Sequence, residues 1–184
     1  MENASKDVLF TIAINLELPS LLKWCESNSR IHRDVCLNDN VWRSKLLKDY
    51  PNYSEFNLNR SLRETYVFLY QLSYIKKLLK TNESLYDIFQ RKELNLSRKI
   101  LKKVPAFDLP NLQKLYLSAN RLTKVPEFRL PNLQELYLSN NHLAEVPEFR
   151  LLNLQVLDLS DNQLTEVPAF DIPNLQYLFL SDTN

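Results

Sequence analysis

Residues 114–134 read KLYLSANRLTKVPEFRLPNLQ, and the same pattern follows without a gap as ELYLSNNHLAEVPEFRLLNLQ (135–155) and VLDLSDNQLTEVPAFDIPNLQ (156–176). Asn120, Asn141 and Asn162 recur every 21 residues, as do Val104, Val125, Val146 and Val167 and the prolines that follow them, Pro105, Pro126, Pro147 and Pro168. Side chains two apart on a strand point the same way, so each Leu-x-Leu (Leu115/Leu117, Leu136/Leu138, Leu157/Leu159, Leu178/Leu180) sends two leucines inward and leaves the middle residue outside. Leu112, Leu133, Leu154 and Leu175 close one side of each coil and Leu122, Leu143 and Leu164 the other, with Phe107, Phe128, Phe149 and Phe170 at its back. A single coil buries none of these groups alone, so stability accrues between neighbours.

A period of this length with this leucine spacing is the signature of a leucine-rich repeat solenoid. The Asn of each coil is expected to form a buried ladder that bonds the backbone of adjoining turns. Two prolines five apart in the return path exclude a regular helix there, which predicts a thin, irregular convex side. One coil earlier, Leu94, Leu96, Leu101 and Val104 keep the register while Lys99 replaces the Asn, so that coil reads as an entry cap. Thr183 occupies the Asn position at the other end, leaving an open parallel edge strand through which the chain is expected to self-associate or meet a partner.

The outward strand residues form the concave face. Asn95, Tyr116, Tyr137, Asp158 and Phe179 make its central column, and Glu93, Lys114, Glu135, Val156 and Tyr177 the flanking one. The expected target-binding set is Lys114, Tyr116, Glu135, Tyr137, Val156, Asp158, Tyr177 and Phe179, because aromatic rings supply much contact area at low entropic cost. Asp158, Asp161 and Asp182 gather toward one end and favour a partner with a basic patch there.

The 184 residues include no glycine, which excludes phosphate-cradling loops, dinucleotide fingerprints and nucleophile elbows, and nineteen asparagines are expected to take over turn positions. The net charge of +1 divides into +4 over residues 1–100 (16 basic, 12 acidic) and −3 over 101–184 (7 basic, 10 acidic). Neither half argues for nucleic acid. The cluster Arg91, Lys92, Arg98, Lys99, Lys102 and Lys103 reads as a solvated face, since no aromatic platform accompanies it. No stretch is long and apolar enough to cross a bilayer and the first residues are no secretory signal, so neither nucleic acid nor membrane is expected as a partner and the expected location is intracellular. Cys25 and Cys36 are expected to be small buried apolar residues. His32 and His142 have no convergent chemical neighbours, and no metal-ligand spacing occurs; neither a catalytic residue, a metal nor a cofactor is expected.

Helical spacing governs the first half. Ser5 caps a predicted helix carrying Val8, Leu9, Ile12 and Leu16; Pro19 opens a second with Leu21, Leu22 and Cys25; Ile31 and Val35 mark a third; Asp39 or Asn40 caps a fourth with Val41, Trp42, Leu46 and Leu47, ending before Pro51. Ser61 to Leu79 predicts a longer amphipathic helix, and Asn82 the cap of a short one with Leu85, Ile88 and Phe89.

Asp7-Val8-Leu9-Phe10-x-Ile12, Leu18-Pro19-Ser20-Leu21-Leu22, Cys25-x-x-Asn28-x-Arg30-Ile31 and Asn38-Asp39-Asn40-Val41-Trp42-Arg43-x-Lys45-Leu46-Leu47 together resemble an F-box over residues 5 to 50. The Asn-, Lys-, Tyr- and Ile-rich composition is similar to that of F-box proteins of large DNA viruses, which implies host cytoplasm or nucleus as the location. The resemblance implies docking to a Skp-type adaptor and through it to a cullin, with Leu9, Ile12, Leu18, Pro19, Leu21, Leu22 and Val41 as adaptor contacts and Trp42 in the core. Ala4-Ser5 stands where such motifs begin with Leu-Pro.

The expected fold class is therefore α+β: an F-box-like helical bundle (1–52), a helical linker and solenoid cap (53–92), and leucine-rich repeats with parallel strands on the concave face (93–184). The expected function is a non-enzymatic substrate receptor of a Skp-cullin-F-box type ubiquitin ligase; the alternative is an adaptor-independent scaffold or inhibitor using the repeat surface.

Overall fold

The structure, a computed structural model, describes residues 5–106 and 108–181. Ala4, Phe107, Asp182 and Thr183, on which expectations above fell, lie outside them. Contacts divide the chain into two compact units, 1–71 and 72–184, with the division inside one helix.

The first unit is helical: α1 (Lys6–Asn15), α2 (Leu18–Ser27), α3 (Ser29–Ile31) running on into a π-helical turn (His32–Cys36), α4 (Asp39–Asp49), a 3-10 turn (Tyr53–Phe56) and the first part of α5 (Leu62–Leu79). Ser5 caps α1 by accepting from the Val8 amide at 3.4 Å. The cap of α4 is Asn38, which accepts from the Asn40 amide at 3.0 Å, and not Asp39 or Asn40. An Asx residue serves best one position before the first helical residue, and three polar candidates stood in a row. Leu9, Ala13, Leu18, Leu21, Val35, Val41, Trp42 and Leu46 form the core. Trp42 Nε1 donates to the Cys36 carbonyl at 2.9 Å, satisfying its one polar atom where it is buried.

Cys25 and Cys36 are buried, as expected, but they are joined in a disulfide across a Cα–Cα distance of 5.9 Å. Cys36 ends the π-helical turn, after which the Leu37 amide bonds the His32 carbonyl five residues back at 3.0 Å. Closing a loop with a sequence separation of 11 restricts the unfolded chain. Reduction is expected to lower the stability of the helical unit by about 2–3 kcal/mol. Urea unfolding followed by the fluorescence of Trp24 and Trp42, with and without reductant, checks this, and Cys25→Ala should abolish the reductant effect.

The second unit holds the rest of α5, α6 (Leu85–Phe89) and five parallel strands, β1 (Glu93–Asn95), β2 (Lys114–Tyr116), β3 (Glu135–Tyr137), β4 (Val156–Asp158) and β5 (Tyr177–Phe179), in sheet order β1-β2-β3-β4-β5. The register is the repeat itself: Leu94, Leu115, Leu136, Leu157 and Leu178 are successive partners. The first four are fully buried, while Leu178 on β5 is 41% exposed. Ser84 and Asp87 cap α6 reciprocally, displacing the expected Asn82, since a Ser three residues before an acid satisfies two amides at once. Phe128, Phe149 and Phe170 stack along the back, with centroids 6.3 and 5.7 Å apart.

The Asn ladder forms as expected. Asn141 accepts from the Leu122 amide at 3.1 Å and donates to the carbonyls of Leu117 and Leu138 at 3.1 and 2.9 Å. Asn120 and Asn162 repeat the arrangement one coil away on either side. The residue before each rung, and Arg98 before Lys99, is left-handed: Arg98, Ala119, Asn140 and Asp161 have φ of 58°, 56°, 55° and 52°. Asparagine thus fills only one of these four turns, although all four are positions where a residue with a Cβ is disfavoured.

A leucine-rich face for protein binding

The concave face is built from the first and last residues of strands only three residues long, whose middle residue is a buried leucine. Tyr116 and Tyr137 are paired in register and stack at 4.9 Å with planes 3° apart. Beside them the Lys114 ammonium pairs with Glu135 at 3.0 Å, and the Tyr137 hydroxyl donates to the same carboxylate at 2.9 Å. Burial first, and then this bond to Glu135, push the Tyr137 phenol up to about 12. The Glu135 bond likewise raises Lys114. These charges serve one another, so the ring surface and not the charge is what this part of the face offers a partner.

Further along, Val156 and Asp158 are half-buried, and Asp158 accepts from the Ser160 amide at 3.1 Å. Tyr177 and Phe179 are 58% and 48% exposed, with rings 6.4 Å apart and nearly parallel. All eight expected target-binding residues therefore lie on one sheet face, in the two predicted columns. Among the described residues the expected acidic end is reduced to Asp158 and Asp161, and Asp161 accepts from Asn140 at 2.9 Å.

Two further columns escaped the sequence reading. Ser139 bonds Ser118 at 3.0 Å and Ser181 bonds Ser160 at 3.2 Å, flanking the rings. On the opposite margin Asn132, Asn153 and Asn174 each donate to a carbonyl of the preceding coil (Pro110, Pro131, Leu152) at 2.7 Å. The signal was visible, since these asparagines also recur every 21 residues.

In the helical unit, Leu9, Leu18, Leu21 and Val41 are core residues at 1%, 4%, 0% and 0% exposure. Ile12 and Leu22 are half-buried and Pro19 is exposed. The exposed aliphatic surface lies on Val8, Leu37 and Leu47. His32 and His142 are both exposed. Among the described residues no group of His, Cys, Asp or Glu is arranged to hold a metal ion, and no helix is long and apolar enough to cross a membrane.

Comparison with known proteins agrees with the repeat geometry. Residues 110–151 match a family profile described as Leucine Rich repeats (2 copies), and residues 131–184 match one described as Leucine rich repeat. Neither profile reaches the helical residues. Among solved structures the chain is similar to YopM from Yersinia enterocolitica WA-314, with 22% identity over 74% of this chain and a TM-score of 0.36; it spans 37% of that protein. No curated protein matches the sequence. Residues 110–184 are leucine-rich repeats by these profiles and by their geometry, and they follow an N-terminal helical region.

Proposed function

We propose that the chain is a non-enzymatic receptor that holds a target protein on its concave face and is tethered to a Skp-type adaptor, and through it to a cullin ubiquitin ligase, by residues 5 to 50. The observation that carries the target-binding half is the in-register Tyr116–Tyr137 stack, with Val156 and the exposed Phe179 extending the face across four strands. The ligase half rests on the F-box resemblance alone. Within it Pro19, Ile12 and Leu22 are the residues with surface to offer, and Leu9, Leu18, Leu21 and Val41 support them from the core. Self-association through the outer edge of β5 belongs to the same reading, because Tyr177, Leu178 and Phe179 are all exposed there.

The reading places the protein in the cytoplasm or nucleus, of a host cell if the chain is viral. There the Cys25–Cys36 pair would be held as thiols, and bridged in an oxidising compartment. Calorimetry of the purified protein with a Skp-type adaptor tests the ligase half. Tight binding that Leu22→Asp weakens by at least about 30-fold, the loss typical of a central interface residue, supports it. No heat from a folded protein overturns it and leaves the adaptor-independent scaffold, for which the concave face is the whole function.

A further inference from the structure

The entry coil departs from the repeat at one turn. Lys99 stands at the rung position, and its amide and that of Leu101 both donate to Asn120 at 3.0 Å, so the backbone of the turn stays tied to the ladder. The Lys99 side chain is exposed, and the chain adopts a second left-handed residue, Ile100, with φ 58°. The equivalent positions in later coils, Arg121, His142 and Gln163, do not have positive φ. A β-branched residue in this region is strained, and such strain marks places where local rules yield to function. Ile100 is 65% exposed, more than any other large hydrophobic residue of the described chain.

Cations neighbour this residue along the chain. Arg98, Lys99, Lys102 and Lys103 are all exposed, and Arg121, also exposed, comes from the next coil, where its amide donates to the Leu101 carbonyl at 2.8 Å. Among the described residues none of the five is in an ion pair, and the turn 97–104 holds no carboxylate. Burying Ile100 costs no polar group its partner.

We propose that this turn is a peripheral docking site for an anionic bilayer surface, with Ile100 entering the headgroup boundary and the five cations lying over acidic lipid. Three observations favour lipid over the other polyanions. The five cations are exposed positions of two successive coils, and none is held in an ion pair among the described residues. The apolar element is a lone aliphatic tip, where nucleic acid would need an aromatic platform and a protein hot spot a packed ring. That tip is 65% exposed. The site differs from the expectation of no membrane partner, which rested on the lack of a spanning segment; attachment at the interface needs none. It is independent of what the concave face or the helical unit binds.

The test is sedimentation of the full chain with vesicles of phosphatidylcholine containing roughly 30% phosphatidylserine, set against pure phosphatidylcholine. Binding to the acidic vesicles alone, weakened as salt rises, is expected. Ile100→Asn should weaken it about tenfold through lost apolar burial, while the thermal midpoint does not fall, because Asn accepts the left-handed turn. The Lys99→Glu, Lys103→Glu pair should weaken it roughly 25-fold or more, at about fivefold per cation. Absence of binding to acidic vesicles overturns the proposal. So does an Ile100→Asn protein that binds them as well as wild type, which would make the turn a general polyanion site, shared with a single-stranded DNA oligonucleotide run in parallel.

Discussion

Asn141→Ala is expected to lower the stability of the repeat unit by about 2 kcal/mol, because it orphans the buried Leu122 amide at roughly 1–3 kcal/mol and takes one of two donors from the carbonyls of Leu117 and Leu138. Those carbonyls keep Asn120 and Asn162 as donors at 2.8 and 3.0 Å, and the Asn141 site is only 5% exposed. The damage should be local, since each coil contacts its neighbours and little else. Hydrogen exchange at the Leu122 amide and in β2 and β3 should accelerate most. Asn153→Ala is the matched control: it removes a 2.7 Å bond to Pro131, but in an exposed place where water substitutes, and should cost no more than about 1 kcal/mol. Equal losses at the two sites would show that burial of the rung is not what matters.

The contrast between these two asparagines also shows what was legible in the sequence. The inner rung is legible because its Asn falls where the chain turns away from the strand, and a side-chain amide there can bond the backbone of adjoining turns. The outer column recurs with equal fidelity, but Leu-Pro-Asn reads as turn chemistry, and nothing local says that its amide reaches the preceding coil. Sheet order and register followed from the period because every coil buries the same leucines.

The helical unit lacks such repetition, and there the sequence misled in physical detail. Apolar residues at helical spacing do not say which side of a helix faces the core; it is the F-box resemblance that makes Leu9, Leu18, Leu21 and Val41 adaptor contacts, and all four side chains are buried. The disulfide joins α2 to a π-helical turn that no propensity signals. The left-handed turns fell to Ala119, Arg98 and Asp161 as well as to Asn140, because stacking fixes the path of each coil and the resident side chain accepts it.

Lys45 is where the resemblance named a residue and the structure supplies its task. Its side chain is buried, yet it is satisfied: Nζ donates to the Leu16 carbonyl at 2.7 Å, pairs with Asp49 at 3.4 Å and sits 4.9 Å from the centroid of the Tyr66 ring. It thereby caps the C-terminal end of α1, whose last carbonyls have no helical partner. Lys45→Ala is expected to destabilise the helical unit by about 4 kcal/mol, combining a cavity, an orphaned carbonyl and a broken buried ion pair. Lys45→Met keeps the volume and should recover about half of that loss, which urea unfolding followed by the fluorescence of Trp24 and Trp42 would measure.

The same cluster gives the unit an alkaline limit. The Tyr66 hydroxyl donates to Asp49 at 2.6 Å, and burial first, then that bond, hold its phenol above the ordinary tyrosine range. The native state therefore keeps a proton that the unfolded state releases above about pH 10. The stability this contributes is fully present below that pH and declines as pH rises beyond it. Tyr66→Phe should flatten the decline while lowering stability at neutral pH, and a Tyr66→Phe protein whose stability still falls as steeply above pH 10 would assign the limit to another group.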